Sequence, residues 1–146
     1  MELKLSFAEA LNMVDMPLAK LVVNDRECHF LVDTGANVCH IDTAFAKEIG
    51  AEEIPPIVDM TSSMLGDPEV THSYSVAFTI DGVRLTDVPC AEADFKYIND
   101  SLQEYGMGMQ GIIGMHVMRL LHGVIDLDDL TLTFRLPDAE QQSNNQ

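Results

Sequence analysis

The sequence predicts an all-β fold, a closed or semi-closed β-barrel carrying one or two short helices. Three observations point there. Apolar and alternating runs are short and numerous, turn-forming pairs such as Asp81-Gly82 and Asp128-Asp129 separate them, and helical composition is confined to brief segments.

Taken in order, Glu2 to Phe7 alternates polar with apolar residues, the period of a half-buried strand. Leu18 to Val23 and Glu27 to Asp33 flank Asn24-Asp25-Arg26 and read as a hairpin. Val38 to Asp42 continues as a strand, and Thr43 to Ile49 has helical composition ending at Gly50, a suitable C-terminal cap. Pro55-Pro56 opens an extended segment, Ile57 to Met60. Ser73 to Ile80 sets Tyr74, Val76, Phe78 and Ile80 on one face, and Asp81-Gly82 turns the chain into Val83 to Leu85. Val88 to Ala93 is a further strand. Asp94 to Gly108 has no clear period and reads as a short helix with a Gly-rich loop. Val124 to Leu127 and Leu130 to Leu136 pair across Asp128-Asp129. One domain over residues 1–136 is expected, followed by a disordered polar tail, 137–146.

At 146 residues the chain has the length of one domain, enough to bury about two-thirds of its unfolded surface. Twenty-four acids against eight Lys and Arg leave a net charge of −16. Such a surface repels phosphate backbones and anionic headgroups, so no nucleic acid and no membrane is expected as a partner. No run approaches the ~18 apolar residues of a membrane span. Acids at Glu2, Glu9 and Asp15 are unlike a signal peptide. Three cysteines, Cys28, Cys39 and Cys90, are an odd number without C-x-x-C spacing, which favours free thiols and a cytoplasmic location.

The most informative stretch is Phe30-Leu31-Val32-Asp33-Thr34-Gly35-Ala36, an apolar run ending in an acid, a hydroxyl and a glycine. Taking a carboxylate out of water costs several kcal/mol unless it is paired, hydrogen-bonded or protonated, so Asp33 asks for a chemical explanation. Thr34 supplies a hydroxyl donor and Gly35 allows a close backbone approach, as a turn holding a carboxylate requires.

The D-T-G-A quartet resembles the active-site turn of aspartic proteases, here in a single copy. A D-T-G tripeptide alone would occur by accident in about 3% of chains this long. A second element is more restrictive: Gly111-Ile112-Ile113-Gly114-Met115-His116 begins seventy-eight residues after Asp33 and continues through Val117 to Leu121. In retropepsin-like proteases, the retroviral-type single-domain family with bacterial relatives, an apolar-apolar-Gly strand runs into a short helix beside the aspartate loop. This chain resembles a bacterial-type member over roughly Met16 to Leu136.

The resemblance implies a homodimeric barrel acting as an aspartic endopeptidase, with Asp33, Thr34 and Gly35 as the catalytic turn of each subunit. Two adjacent carboxylates share one proton and titrate as a pair. One takes a proton from water while the other hydrogen-bonds the peptide carbonyl. Neither a cofactor nor a metal is required, and the expected partners are a second copy and a peptide or protein substrate. Substrate contacts are expected at Ala36 and at Met64, Leu65 and Gly66, near the tip of a flap over Met60 to Tyr74. The other open reading is a non-catalytic dimerisation or peptide-binding module of the same fold. Asp33, Thr34 and Gly35 together favour catalysis, because a scaffold would be more stable without a buried acid pair.

Two positions depart from the family pattern. His116 stands where Asp or Asn commonly caps the short helix, and Asn37 replaces Ser or Thr. Other motifs fit their contexts poorly. Gly106-Met107-Gly108-Met109-Gln110-Gly111 matches G-x-G-x-x-G but follows no apolar strand and leads into β-like Ile112-Ile113. Cys28-His29 and Cys39-His40 would split their ligands between opposite strand faces. Asp126-Leu127-Asp128-Asp129 lacks the glycine and distal glutamate of a calcium loop.

Overall fold

Residues 1–57 and 72–137 are described by the computed structural model. In chain order they form β1 (Glu2–Ser6), α1 (Ala8–Val14), β2 (Leu18–Val23), β3 (Arg26–Val32), β4 (Cys39–Asp42), α2 (Thr43–Glu48) and β5 (Glu52–Ile54). After the gap come β6 (Ser73–Ile80), β7 (Val83–Ala93), α3 (Lys96–Leu102), β8 (Gly111–Ile113), α4 (Met115–Leu120), β9 (Val124–Asp126) and β10 (Thr131–Arg135). The fold is mostly β with few short helices, as the sequence leads one to expect.

Six strands close into a barrel in the order β2-β3-β8-β4-β7-β6, with β6 returning to β2 and β5 added outside β6. The pairs β3–β8 and β4–β7 are parallel; the other pairings are antiparallel. Closure rests on two residue pairs, Val22 with Thr79 and Val23 with Phe78. Asn24 lengthens this seam: its N–H donates to the Ala77 carbonyl at 3.0 Å, and its Oδ1 accepts the Ala77 N–H at 2.8 Å. Ala77 lies in the bulge between Val76 and Phe78, so an asparagine side chain satisfies an amide there.

A second sheet, β1-β10-β9, packs Leu3, Leu5, Leu132 and Phe134 into the same core as the barrel residues Val23, Phe30, Ile41, Phe78 and Ile113. Phe30 and Phe78 meet edge to face, with ring centroids 5.5 Å apart, a preferred aromatic arrangement. A smaller cluster lies apart from this core, where Ala10, Leu18, Phe95, Leu102 and Met109 join α1 and α3 to the strands. All three cysteines are buried and free.

Several boundaries differ from the sequence reading. Val83 to Leu85 and Val88 to Ala93 are one strand, β7, which passes through Asp87 at φ 59°. A strand precedes Pro55 at Glu52–Ile54; of the extended segment expected at Ile57 to Met60, only Ile57 lies within the described residues. Helix α1, between β1 and β2, had no sequence counterpart.

Candidate active site

Asp33 directly follows β3, whose last residue Val32 pairs with Ile113 of β8. The strand is apolar because both residues before the acid are packed: Val32 faces the core and Leu31 faces the second cluster. The backbone at Asp33 is held from two directions. Its N–H donates to the Ile113 carbonyl at 3.1 Å, and its own carbonyl accepts the Ala36 N–H at 3.2 Å. The side chain closes the turn, with Oδ1 accepting the Gly35 N–H at 2.8 Å. A Cβ on Gly35 would lie 3.1 Å from that oxygen, so glycine keeps the turn tight. Asp33 is half-buried, and Thr34 and Gly35 are exposed.

The second motif braces this turn. Met115 and His116 donate backbone N–H groups to the carbonyls of Ala36 and Asn37, at 2.8 and 2.9 Å. Thus the open N–H groups of the first turn of α4 find acceptors on the aspartate loop, and Gly114 stands at the N-cap without a side-chain cap. That resolves the departure at position 116: the histidine backbone makes the bond, so its side chain need not cap. Both glycines of the motif sit where backbone comes close. A Cβ on Gly114 would fall 2.2 Å from the Val38 carbonyl oxygen, and one on Gly111 would fall 2.3 Å from the Phe30 ring.

Ala36 is 5% exposed and turns its side chain inward. Met64, Leu65 and Gly66 lie outside the described residues. Leu31 and Ile112 pair across β3 and β8 close to the acid; both are half-buried and, like Met16 and Met107, pack against the smaller cluster. Met109 is fully buried and belongs to the smaller cluster.

Sequence reasoning missed an open groove of about 760 Å³ lined by Asn37, Met115, His116, Arg119, Leu120 and His122. Its signal was present: Met115 and Arg119, like His116 and Leu120, are four apart and share the outer face of α4, while Val117 and Met118 are buried.

The competing motifs resolve as local structure. Gly111 of the G-x-G-x-x-G match opens a strand. Asp126 Oδ1 accepts the N–H groups of Asp128 and Asp129, at 2.8 and 3.0 Å, and these bonds, from Asp129 first, hold its carboxyl below the ordinary range. Among the described residues, no group of three or more His, Cys, Asp or Glu is placed to hold a metal ion. Nor is any described helix long and apolar enough to cross a membrane.

Solved structures with this fold include two proteases and a protease-like domain. The EIAV protease complexed with the inhibitor HBY-793 matches at 19% identity and a TM-score of 0.51, covering 80% of this chain and 97% of its own. A retropepsin-like aspartic protease from Rickettsia conorii matches at 15% and 0.56, covering 92% and 91%. The retroviral protease-like domain of Ddi1 from Leishmania major matches at 16% and 0.50, covering 84% and 93%. No curated protein matches the chain. The family profile described as aspartyl protease matches residues 19–117, more than half of the sequence and spanning both the aspartate turn and the glycine motif. The chain therefore belongs to the aspartyl protease family and has a retropepsin-like fold.

Proposed function

We propose that this protein is an aspartic endopeptidase, active as a homodimer in which each chain contributes one Asp33. The observation that carries the reading is the turn itself. One Asp-Thr-Gly sequence closes a barrel strand, its carboxylate is oriented by the Gly35 N–H, and its outer side is open to solvent. A single carboxylate lacks the partner that peptide hydrolysis by this route requires. A twofold axis through two such turns supplies it, with self-complementary surfaces on both chains.

In that dimer the two Asp33 carboxylates share a proton, because like charges so close resist double ionisation. The ionised one accepts a proton from water as the water attacks the scissile carbonyl. The protonated one donates a hydrogen bond to the carbonyl oxygen as charge develops there. In this reading Thr34, exposed in the isolated chain, bonds across the axis, and Gly35 leaves room for substrate. The half-buried pair Leu31 and Ile112, close to Asp33 along β3 and β8, suits an extended peptide with apolar side chains.

Incubation with denatured casein from pH 3 to 7, with and without pepstatin, tests this beside Asp33→Asn. Cleavage by the wild type is expected, with the variant reduced by at least about a thousandfold because the acid–base pair is lost. Equal cleavage by the two proteins would end the assignment. No cleavage by a dimeric wild type would favour the binding-module reading.

A further inference from the structure

The groove on α4 differs in charge from the chain that carries it. The sequence holds twenty-four acids and eight Lys and Arg, yet this groove is lined by Arg119, His116 and His122 with no acid among them. Its apolar part is exposed, Met115 at 41% and Leu120 at 65%. It also has a fixed position relative to Asp33. Helix α4 follows β8, so the groove flanks the aspartate turn on the β8 side, tied there by the bonds from Met115 and His116 to the loop.

The opposite flank of the same strand carries the end of α1. The Pro17 carbonyl accepts the Val32 N–H at 3.0 Å, which places the α1–β2 link on the β2 side, one residue before Asp33. Two side chains there are exposed: Met13, at 49%, and Asp15. Asp15 is the C-cap of α1 at φ 61°, its N–H bonded to the Leu11 carbonyl. Asp is among the few non-glycine residues that tolerate this conformation, so its backbone is fixed.

A twofold axis that crosses β3 at right angles and leaves its sheet through the open face brings two Asp33 turns together with the β2 flank of one chain against the β8 flank of the other. We infer that the end of α1 from a second copy docks in the α4 groove, with Met13 against Met115 and Leu120 and Asp15 against Arg119. The inference rests on the homodimer reading and adds what holds that dimer in register. Symmetry makes the contact twice, once on each side of the paired turns. Association of two chains of net charge −16 is opposed at long range, and an acid-to-cation contact beside the axis offsets that repulsion.

Sedimentation equilibrium of the full chain tests it. Arg119→Glu and Asp15→Arg should each raise the dimer dissociation constant by about tenfold or more, and the double swap Asp15→Arg/Arg119→Glu should recover most of that loss. A double variant no tighter than the weaker single, in a protein whose wild type dimerises, overturns the inference and leaves the homodimer standing. A wild type that stays monomeric at about 100 μM overturns both. Cross-linking guards against a misfolded charge variant: with Met13→Cys and Leu120→Cys in one chain, and the native thiols buried, diamide should link positions 13 and 120 of different subunits. A wild-type-like dimer that yields no such link counts against the inference.

Discussion

At the scale of single residues, close approach explains more than flexibility does. Gly114 has less room than any other glycine among the described residues, with the Val38 carbonyl oxygen 2.2 Å from where a Cβ would stand. The obstacle is backbone, which cannot swing aside. Gly114→Ala should therefore destabilise the protein by about 1–3 kcal/mol or more, the usual cost of overpacking, seen as a lower urea midpoint. It should also lower activity, since a shift there drags the two α4 amides that hold the Ala36 and Asn37 carbonyls. An unchanged midpoint would show that the backbone at Val38 yields freely. The acid at the end of an apolar run and the glycines of the second motif were legible in the sequence, because each breaks the pattern around it. The groove residues were not. Helical spacing marks Met115, His116, Arg119 and Leu120 as outward-facing, but it does not show what they face.

At the scale of elements, junctions matter more than propensity. Asp42 ends β4 and joins two helical segments with one carboxylate: Oδ2 accepts the Phe45 N–H as the cap of α2, and Oδ1 accepts the Phe95 N–H ahead of α3, both at 3.1 Å. Asp42→Ala should cost about 1–3 kcal/mol, more than an ordinary cap, because two amides lose their acceptor. Thermal unfolding reads it, and a loss no larger than that of Asp42→Asn would mean that one bond suffices. α2 was readable from its composition and from Gly50. α1 was hidden, since Phe7 at its N-cap offers no side-chain cap and Ala10 is its one buried residue. β5 shows no alternation, with Glu52 and Glu53 exposed and Ile54 half-buried, so only its pairing with Ser73 to Ser75 makes it a strand. The join at Asp87 misled in the other direction: a positive φ at an acid reads as a turn, yet β7 runs on through it.

For the molecule as a whole, the closed barrel fixes how stability responds to pH. Burial pushes the Cys28 thiol up to about 12 from 9.0, against a smaller opposing bond from the Val23 backbone. The Cys90 thiol lies well above its ordinary value through its bond with Cys39, its neighbour in register on β4, and through full burial. The Cys39 thiol is lowered by the same bond, so the Cys39–Cys90 pair acts in opposing directions; for Cys28, an unfolded chain releases the proton near pH 9 while the fold keeps it. Stability is therefore fully present below pH 9 and falls as pH rises toward 12; for Cys28 the fall reaches about 4 kcal/mol at the upper end. Urea midpoints between pH 8 and 11 should decline, and Cys28→Val should decline less steeply. Parallel slopes would show that the thiol is more hydrated than its 4% exposure suggests.

The pairing of β1 with β10 brings Met1 and Leu136 together, each donating a backbone N–H to the other's carbonyl, at 3.0 and 2.8 Å. A peptide bridge of a few residues could span that gap once the segment after Pro137 is trimmed. Within the described residues, the two ends of the fold thus lie side by side. A circularly permuted gene opened at the exposed Asp81-Gly82 hairpin would retain every strand neighbour while moving the ribosome's starting point to the far side of the sequence.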